Sequence, residues 1–316
     1  MNIRLIFSAA IACLAAGANL SAAADPTNAA PGSSKPGMRI ERNIPYVENG
    51  HPKQVFDLFL PEKTPDKPMP LMIWIHGGAW MGGSQSSPPV LYLLSRGIAV
   101  ASIQYRFSQD AIWPAQAHDC KAAIRFLRAN AGRYGLDPDR FAAGGDSAGG
   151  HLAAFVGTSG DVKETEGDLG PTNVSSRVQA VVDWFGPTDL VVMGKQAGPG
   201  GLMQHDSTNS PESRLVGGPI QERKELARTA NPITYIDRND PPFLIMHGDA
   251  DRLVPLAQSV ILAEALMQAG VREVTLETLH GADHEGPQFF GPDSRRLVEE
   301  FVVRTLSQPP ARRESR

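Results

Sequence analysis

Cysteine is almost missing from this chain: two residues in 316, Cys13 in an apolar N-terminal run and Cys120 well inside. Once the N-terminal run is removed no internal disulfide can form, so the fold has to rest on an apolar core. Basic excess is missing too. Lys and Arg number 30 against 34 Asp and Glu, a net charge of −4. With no basic cluster and no basic amphipathic stretch, a nucleic-acid partner and an anionic membrane surface are both excluded. The eight histidines are scattered and meet no further ligand at metal-binding spacing, so no metal site is expected. No glycine-rich phosphate loop is present, and no cofactor is expected.

Past the N-terminus no apolar run is long enough to span a membrane. Met1 to about Ala24 reads as a secretory signal, with Arg4 as the positive start, an apolar stretch from Leu5 to Leu20, and Ala22-Ala23-Ala24 offering small residues for cleavage. Ser8, Gly17 and Asn19 interrupt the stretch. An uncleaved anchor and a lipid on Cys13 are the weaker alternatives. The expectation is a secreted or periplasmic protein, with a disordered leader at 25–38, one domain over 39–308 and a polar tail at 309–316. The oligomeric state cannot be read from the sequence.

Serine, histidine and acidic residues at the ends of strand-like runs are what the chain does have. Gly145-Asp146-Ser147-Ala148-Gly149 follows a short run, Arg140 to Gly144, and opens an apolar, helix-forming one, His151 to Val156. A serine hydroxyl is a weak nucleophile, which must be exposed, aimed and deprotonated. A tight turn from strand to helix exposes it, and small residues two positions either side make room for the turn. The helix then begins at the serine, so its free N–H groups face the place where negative charge would develop, with Ala148 the donor from this side.

His76-Gly77-Gly78-Ala79-Trp80 ends a near-continuous apolar run, Pro70 to Ile75, of the kind buried on both faces of a sheet. Two glycines let backbone N–H groups approach a ligand closely, as an oxyanion hole requires. Two later strand-like runs supply the remaining chemistry. Pro242 to Met246 leads into His247-Gly248-Asp249-Ala250-Asp251, and Val274 to Leu279 leads into His280-Gly281-Ala282-Asp283-His284. Open α/β sheets place their ligands at the carboxyl ends of strands, so Ser147, an acid and a histidine can converge there. Asp251 and Asp249 compete for the acid role, and His284 and His280 for the base.

Strand and helix patterns alternate along the chain. Arg39 to Leu60 fits two antiparallel edge strands. Gly97 to Tyr105 and Val178 to Trp184 read as strands. Ala115 to Arg133, Leu256 to Gln268 and Ser294 to Leu306 read as helices. Such alternation predicts a mostly parallel twisted sheet with helices on both faces. Cys120 lies on an apolar helix face and reads as a buried, inert thiol. Pro187 to Pro232 is too long for a plain loop and is expected to form a small cap insertion that sets substrate choice. Trp80, Trp113 and Trp184 stand near loop ends, where they would form either an aromatic wall for a phenolic or sugar ring or ordinary core; Trp80 and Trp184 are the candidates for substrate contact. Arg106, Asp110 and Asp189 read as ion-paired or solvated structural residues.

Taken together these motifs resemble the α/β-hydrolase esterases, and within them the bacterial feruloyl-esterase-like group related to hormone-sensitive-lipase-type carboxylesterases. The resemblance runs from about Asn43 to about Leu306. It also rests on Trp113-Pro114-Ala115-Gln116, Tyr134 to Arg140 and Asp183 to Asp189. It implies the α/β-hydrolase fold, a Ser147–Asp251–His284 triad, and Gly77, Gly78 and Ala148 as oxyanion donors. It further implies a serine carboxylesterase acting on short-chain or aromatic esters, including acetyl or feruloyl groups on plant polysaccharide. A third glycine common in such loops is replaced by Ala79, which matters to the geometry if its φ is positive. Two other readings use the same residues: a serine peptidase of the prolyl-oligopeptidase type, disfavoured by the missing propeller, and a non-catalytic binding protein on this scaffold.

Overall fold

The computed structural model describes residues 37–63 and 65–307. The expected signal, most of the leader and the tail lie outside them. Eight strands form one sheet: β1 Met38–Pro45, β2 Val55–Pro61, β3 Met69–Ile75, β4 Ala99–Ile103, β5 Leu136–Asp146, β6 Ala180–Trp184, β7 Phe243–Gly248 and β8 Val274–Leu279. Their spatial order is β1-β2-β4-β3-β5-β6-β7-β8. The β1–β2 and β2–β4 pairs are antiparallel and the rest of the sheet is parallel.

Side chains alternate across the sheet, as period two requires. Leu71, Ile73 and Ile75 of β3 join one core with Phe56, Ala101, Phe141 and Ile245. Met72 and Trp74 join the other with Phe59, Val100, Val182 and Met246. Both faces are covered, which is why these strands read as unbroken apolar runs. The helices are α1 Ala115–Ala129, α2 Ala131–Tyr134, α3 Ala148–Thr158, α4 Met193–Gln196, α5 Pro211–Leu215, α6 Lys224–Ala230, α7 Ala257–Gln268 and α8 Pro292–Leu306. Apolar residues of α1, α3 and α7 pack on the first face, and Val298, Phe301 and Val302 of α8 on the second. Each fully buried Leu, Ile, Val or Phe contributes roughly 1.5–3 kcal/mol. Cys120 is fully buried on α1, and burial pushes its thiol far up.

The expected elements are present with shifted ends. The helix pattern over 115–133 breaks at Asn130 into α1 and α2. Residues 187–232 hold three short helices. Leu190, Met193, Leu215, Val216 and Ile220 of this stretch sit in the same core as the sheet, while Leu202 stands 66% exposed.

Register places the loops that matter side by side. Ile75 pairs with Gly145, so the loop after β3 and the turn after β5 leave the sheet together. Gly248 pairs with Leu279, so the loops after β7 and β8 also leave together. No room exists between the first two. A Cβ on Gly149 would lie 1.9 Å from the Ile75 carbonyl oxygen, and one on Gly145 2.3 Å from the Gly149 oxygen. Gly149→Ala is therefore expected to destabilise the protein by at least the about 1–3 kcal/mol typical of overpacking, because backbone must move against backbone. A thermal melt of Gly149→Ala beside the wild type checks this, and an unchanged melting temperature contradicts the packing described.

Candidate active site

β5 ends in the turn that the glycines on either side of Ser147 predict. Ser147 has φ 52° and ψ −121°, a conformation strained for any residue with a Cβ. It is held there by its own N–H, which donates to the Trp184 carbonyl at 2.8 Å, and by the start of α3 at Ala148.

The loops after β7 and β8 bring the other two groups to it. The Ser147 hydroxyl lies 3.0 Å from Nε2 of His284. Nδ1 of His284 lies 2.7 Å from Oδ2 of Asp251. Asp251 is buried, and its Oδ1 accepts N–H bonds from Leu253 and Val254 at 2.8 and 2.9 Å. Burial alone would raise the Asp251 carboxyl, but hydrogen bonds from His247 and His284 override it and hold the group far below the usual carboxylate range. With Asp251 ionised, His284 carries its proton on Nδ1 and presents Nε2 as the acceptor for the serine hydroxyl. Phe185 packs on the His284 ring at 4.5 Å between centroids.

The rival groups pair with each other instead. His280, almost fully exposed, meets Asp249 at 2.8 Å. The two loops are also stitched by Arg252 and Asp283, whose side chains form an ion pair while Arg252 N–H donates to Asp283 Oδ1 at 3.0 Å. Neither Arg252 nor Asp283 stood out in the sequence.

The loop after β3 corrects one expectation. Gly77 donates its N–H to Asp146 Oδ2 at 3.1 Å, so it is not free to receive an oxyanion. The Gly77 carbonyl faces Nδ1 of His76 at 2.6 Å, and the Gly78 carbonyl accepts from Met81 and Gly82. In a trans peptide the next N–H points the opposite way, which aims the N–H groups of Gly78 and Ala79 away from those partners. Among the described residues neither has a protein acceptor. Ala148, first in α3, has none within its helix. Ala79 has φ 55°, so this alanine adopts the positive φ that a glycine would take more easily.

Trp80 is a second correction. It is 2% exposed and belongs to the core. Its indole N–H donates to Nδ1 of His151 at 3.2 Å, so it forms no wall. Trp113 is likewise buried, with its N–H on Thr229. Trp184 is buried, edge-on to Trp74 and beside Phe289 and Phe290. It does border a cavity of about 270 Å³, together with Asp146, Glu285, Phe290, Ser84 and Ser87; Phe185, which packs on His284, also lines it. Burial, and secondarily repulsion from Glu285, pushes the Asp146 carboxyl up to about 6. Arg106, Asp110 and Asp189 are structural: Arg106 grips Asp119, Asp110 pairs with Lys53, and Asp189 Oδ1 accepts the Val191 N–H.

Among the described residues no group of His, Cys, Asp or Glu could hold a metal ion, and no helix is long and apolar enough to cross a membrane.

The BD-FAE family model matches residues 56–266. Esterase LipC of Mycobacterium tuberculosis is 33% identical over 255 residues, covering 77% of this chain and 59% of LipC. The chain spans a little over half the length of the curated relatives it matches first. A solved structure, a truncated carbohydrate esterase from gut microbiota, superposes with a TM-score of 0.78 at 35% identity, covering 85% of this chain and 96% of that one. An acetyl ester-xyloside bifunctional hydrolase from Caldicellulosiruptor lactoaceticus superposes with a TM-score of 0.63 at 26% identity, covering 84% and 90%. With the family model spanning the elbow, the loop after β3 and the acidic loop on an eight-stranded α/β sheet, this chain belongs to the BD-FAE family and has the α/β-hydrolase fold.

Proposed function

We propose that the protein is a serine carboxylesterase that works through an acyl-enzyme. The observation that carries this is the line Ser147 Oγ–His284 Nε2–His284 Nδ1–Asp251 Oδ2, at 3.0 and 2.7 Å. In the first half-reaction Oγ attacks the ester carbonyl carbon while Nε2 takes the hydroxyl proton. The carbonyl oxygen becomes an oxyanion, held by the N–H groups of Gly78, Ala79 and Ala148. Collapse breaks the bond to the alcohol, whose oxygen receives the proton from Nε2. Water repeats the sequence on the acyl-enzyme, and Asp251 stabilises the imidazolium in both halves. A peptide amide assayed beside an ester separates this reading from a peptidase, and a folded protein inert toward both would favour a binding role.

The finer substrate is a short-chain or aromatic acyl group, acetyl or feruloyl, on a carbohydrate alcohol. The names of the two solved relatives support it, and so does the cavity beside the triad. Phe290 is 42% exposed there and offers an aromatic face to the C–H side of a sugar ring. Asp146 and Glu285 offer acceptors, and Ser84 and Ser87 hydroxyls, to the ring hydroxyls. Glu285→Gln and Phe290→Ala are expected to raise KM for an acetylated xylo-oligosaccharide by about tenfold, roughly the value of one lost sugar contact. Their effect on p-nitrophenyl acetate should be much smaller. Equal losses on both substrates would remove the sugar from the proposal.

Residues 187–232 act as the substrate cap. They touch the acidic loop through the Leu202 N–H on the Arg252 carbonyl at 2.8 Å. Residues 1–24 direct the protein to the periplasm or outside the cell, which the mass of the mature N-terminus tests.

A further inference from the structure

His247 closes β7 with no solvent exposure, and the reaction scheme leaves it idle. Its ring nevertheless touches the triad. Nε2 lies 2.9 Å from the Val254 carbonyl oxygen and 3.3 Å from Asp251 Oδ2. Nδ1 lies 2.7 Å from the Ser259 hydroxyl, on α7. A carbonyl oxygen only accepts, so Nε2 carries hydrogen and Nδ1 of the neutral ring accepts from Ser259. The Nε2–H is thus directed at the Val254 carbonyl, and Asp251 Oδ2 lies beside it at 3.3 Å.

A carboxylate has about four lone-pair sites, and in Asp251 three accept hydrogen bonds, Leu253 and Val254 N–H on Oδ1 and His284 on Oδ2, while His247 Nε2 lies 3.3 Å from Oδ2. Two imidazoles therefore face one oxygen. The His284 side chain is 9% exposed and that of His247 fully buried. A second carboxylate near His247 is Asp183 on β6, whose Oδ1 accepts the Gly186 N–H at 3.0 Å and whose Oδ2 is buried without a partner among the described residues. Packing under the site would be satisfied by any ring of this size. A donor aimed at the one oxygen that orients the base would not.

Building on the serine-esterase reading, we propose that His247 is a positioning residue for the triad acid: its Nε2–H shares Asp251 Oδ2 with His284, fixing the carboxylate rotamer and moderating the negative charge that the base feels. Removing that N–H concentrates the charge of Oδ2 on His284, which then holds its proton to higher pH. Loss of the rotamer lock lets the base drift from Ser147.

The test is kcat, KM and the pH profile on p-nitrophenyl acetate for His247→Phe, His247→Gln and the wild type, with His247→Phe repeated in an Asp251→Asn background. In His247→Phe, kcat should fall by about ten- to a hundredfold, the scale of a misplaced catalytic group, with KM within about twofold. The acid limb of kcat/KM should move to higher pH. Gln, whose amide nitrogen reaches the Nε2 position, should recover most of the rate. In the Asp251→Asn background the Phe substitution should cost little more, since both act through one carboxylate. A Phe variant with wild-type kcat and limb overturns the proposal. So does a loss that Gln does not recover, or one that adds fully to Asp251→Asn. If the Phe variant does not fold, Ser259→Ala takes its place, with a severalfold fall in kcat and the same direction of limb expected, and wild-type behaviour overturning the proposal. A wild type inert on esters sinks the esterase reading and this assignment with it. An active wild type with indifferent His247 variants sinks this assignment alone.

Discussion

Ser147→Ala is expected to lower kcat on p-nitrophenyl acetate by about a millionfold, as loss of a triad serine does when nothing else can attack. The fold should survive. Alanine keeps the Cβ, so the φ of 52° is neither relieved nor worsened. The backbone bonds of the elbow, Ser147 N–H to the Trp184 carbonyl and His151 N–H to the Ser147 carbonyl, involve no side chain. The single interaction removed is that with His284 Nε2. Stability should change by no more than about 0.5 kcal/mol, the range of a substitution that leaves core and caps alone. Steady-state kinetics and a thermal melt on one preparation check both halves. Residual turnover above about one part in ten thousand would mean that another nucleophile does the chemistry.

Asp251→Asn should be nearly as damaging, by about ten thousandfold, as for other triads in which the acid becomes an amide. The reason is the tautomer. The amide would keep its oxygen on the Leu253 and Val254 N–H groups, which only donate. Its NH2 would then face Nδ1 of His284. That nitrogen would have to accept, leaving the hydrogen on Nε2, where it cannot take the serine proton. Asp249→Asn is the control. It breaks only the surface pair with the exposed His280, so activity should stay within about threefold, the modest value of an exposed ion pair. The reverse pattern would make Asp249 the acid. Asp251 lies far below the usual carboxylate range, so it is ionised throughout any ordinary assay. The sign follows: its stabilisation of the site is complete above the unfolded carboxylate's range and is lost only in strong acid.

The elbow and the triad were legible in the sequence because their constraints are steric and ordered along the chain. Gly145 and Gly149 announce a turn in which a Cβ would strike backbone, and the loops after β5, β7 and β8 are each marked by a strand ending in polar residues. The choice of Asp251 over Asp249 came from family spacing; in the structure Asp249 pairs with His280 and Asp251 with His284.

What could not be read depends on contacts across the fold. Gly77 loses its N–H to Asp146, 69 positions away, and only that bond moves attention to Ala79. Trp80 stands at a loop end, a place equally suited to a binding wall and to the core, and the partner that decides, His151, lies on α3. In the sequence His247 marks the entry to the acidic loop. Its contacts lie four, seven and twelve positions later, across the acidic loop and into α7.

The most direct test of the account is incubation of the purified protein with a fluorophosphonate probe, followed by peptide mass spectrometry and by p-nitrophenyl acetate turnover on the same sample. One modified residue is expected, Ser147, with turnover falling in step with its labelling, and no labelling in Ser147→Ala. Modification at another residue, or a folded protein that neither labels nor turns over ester, would contradict it.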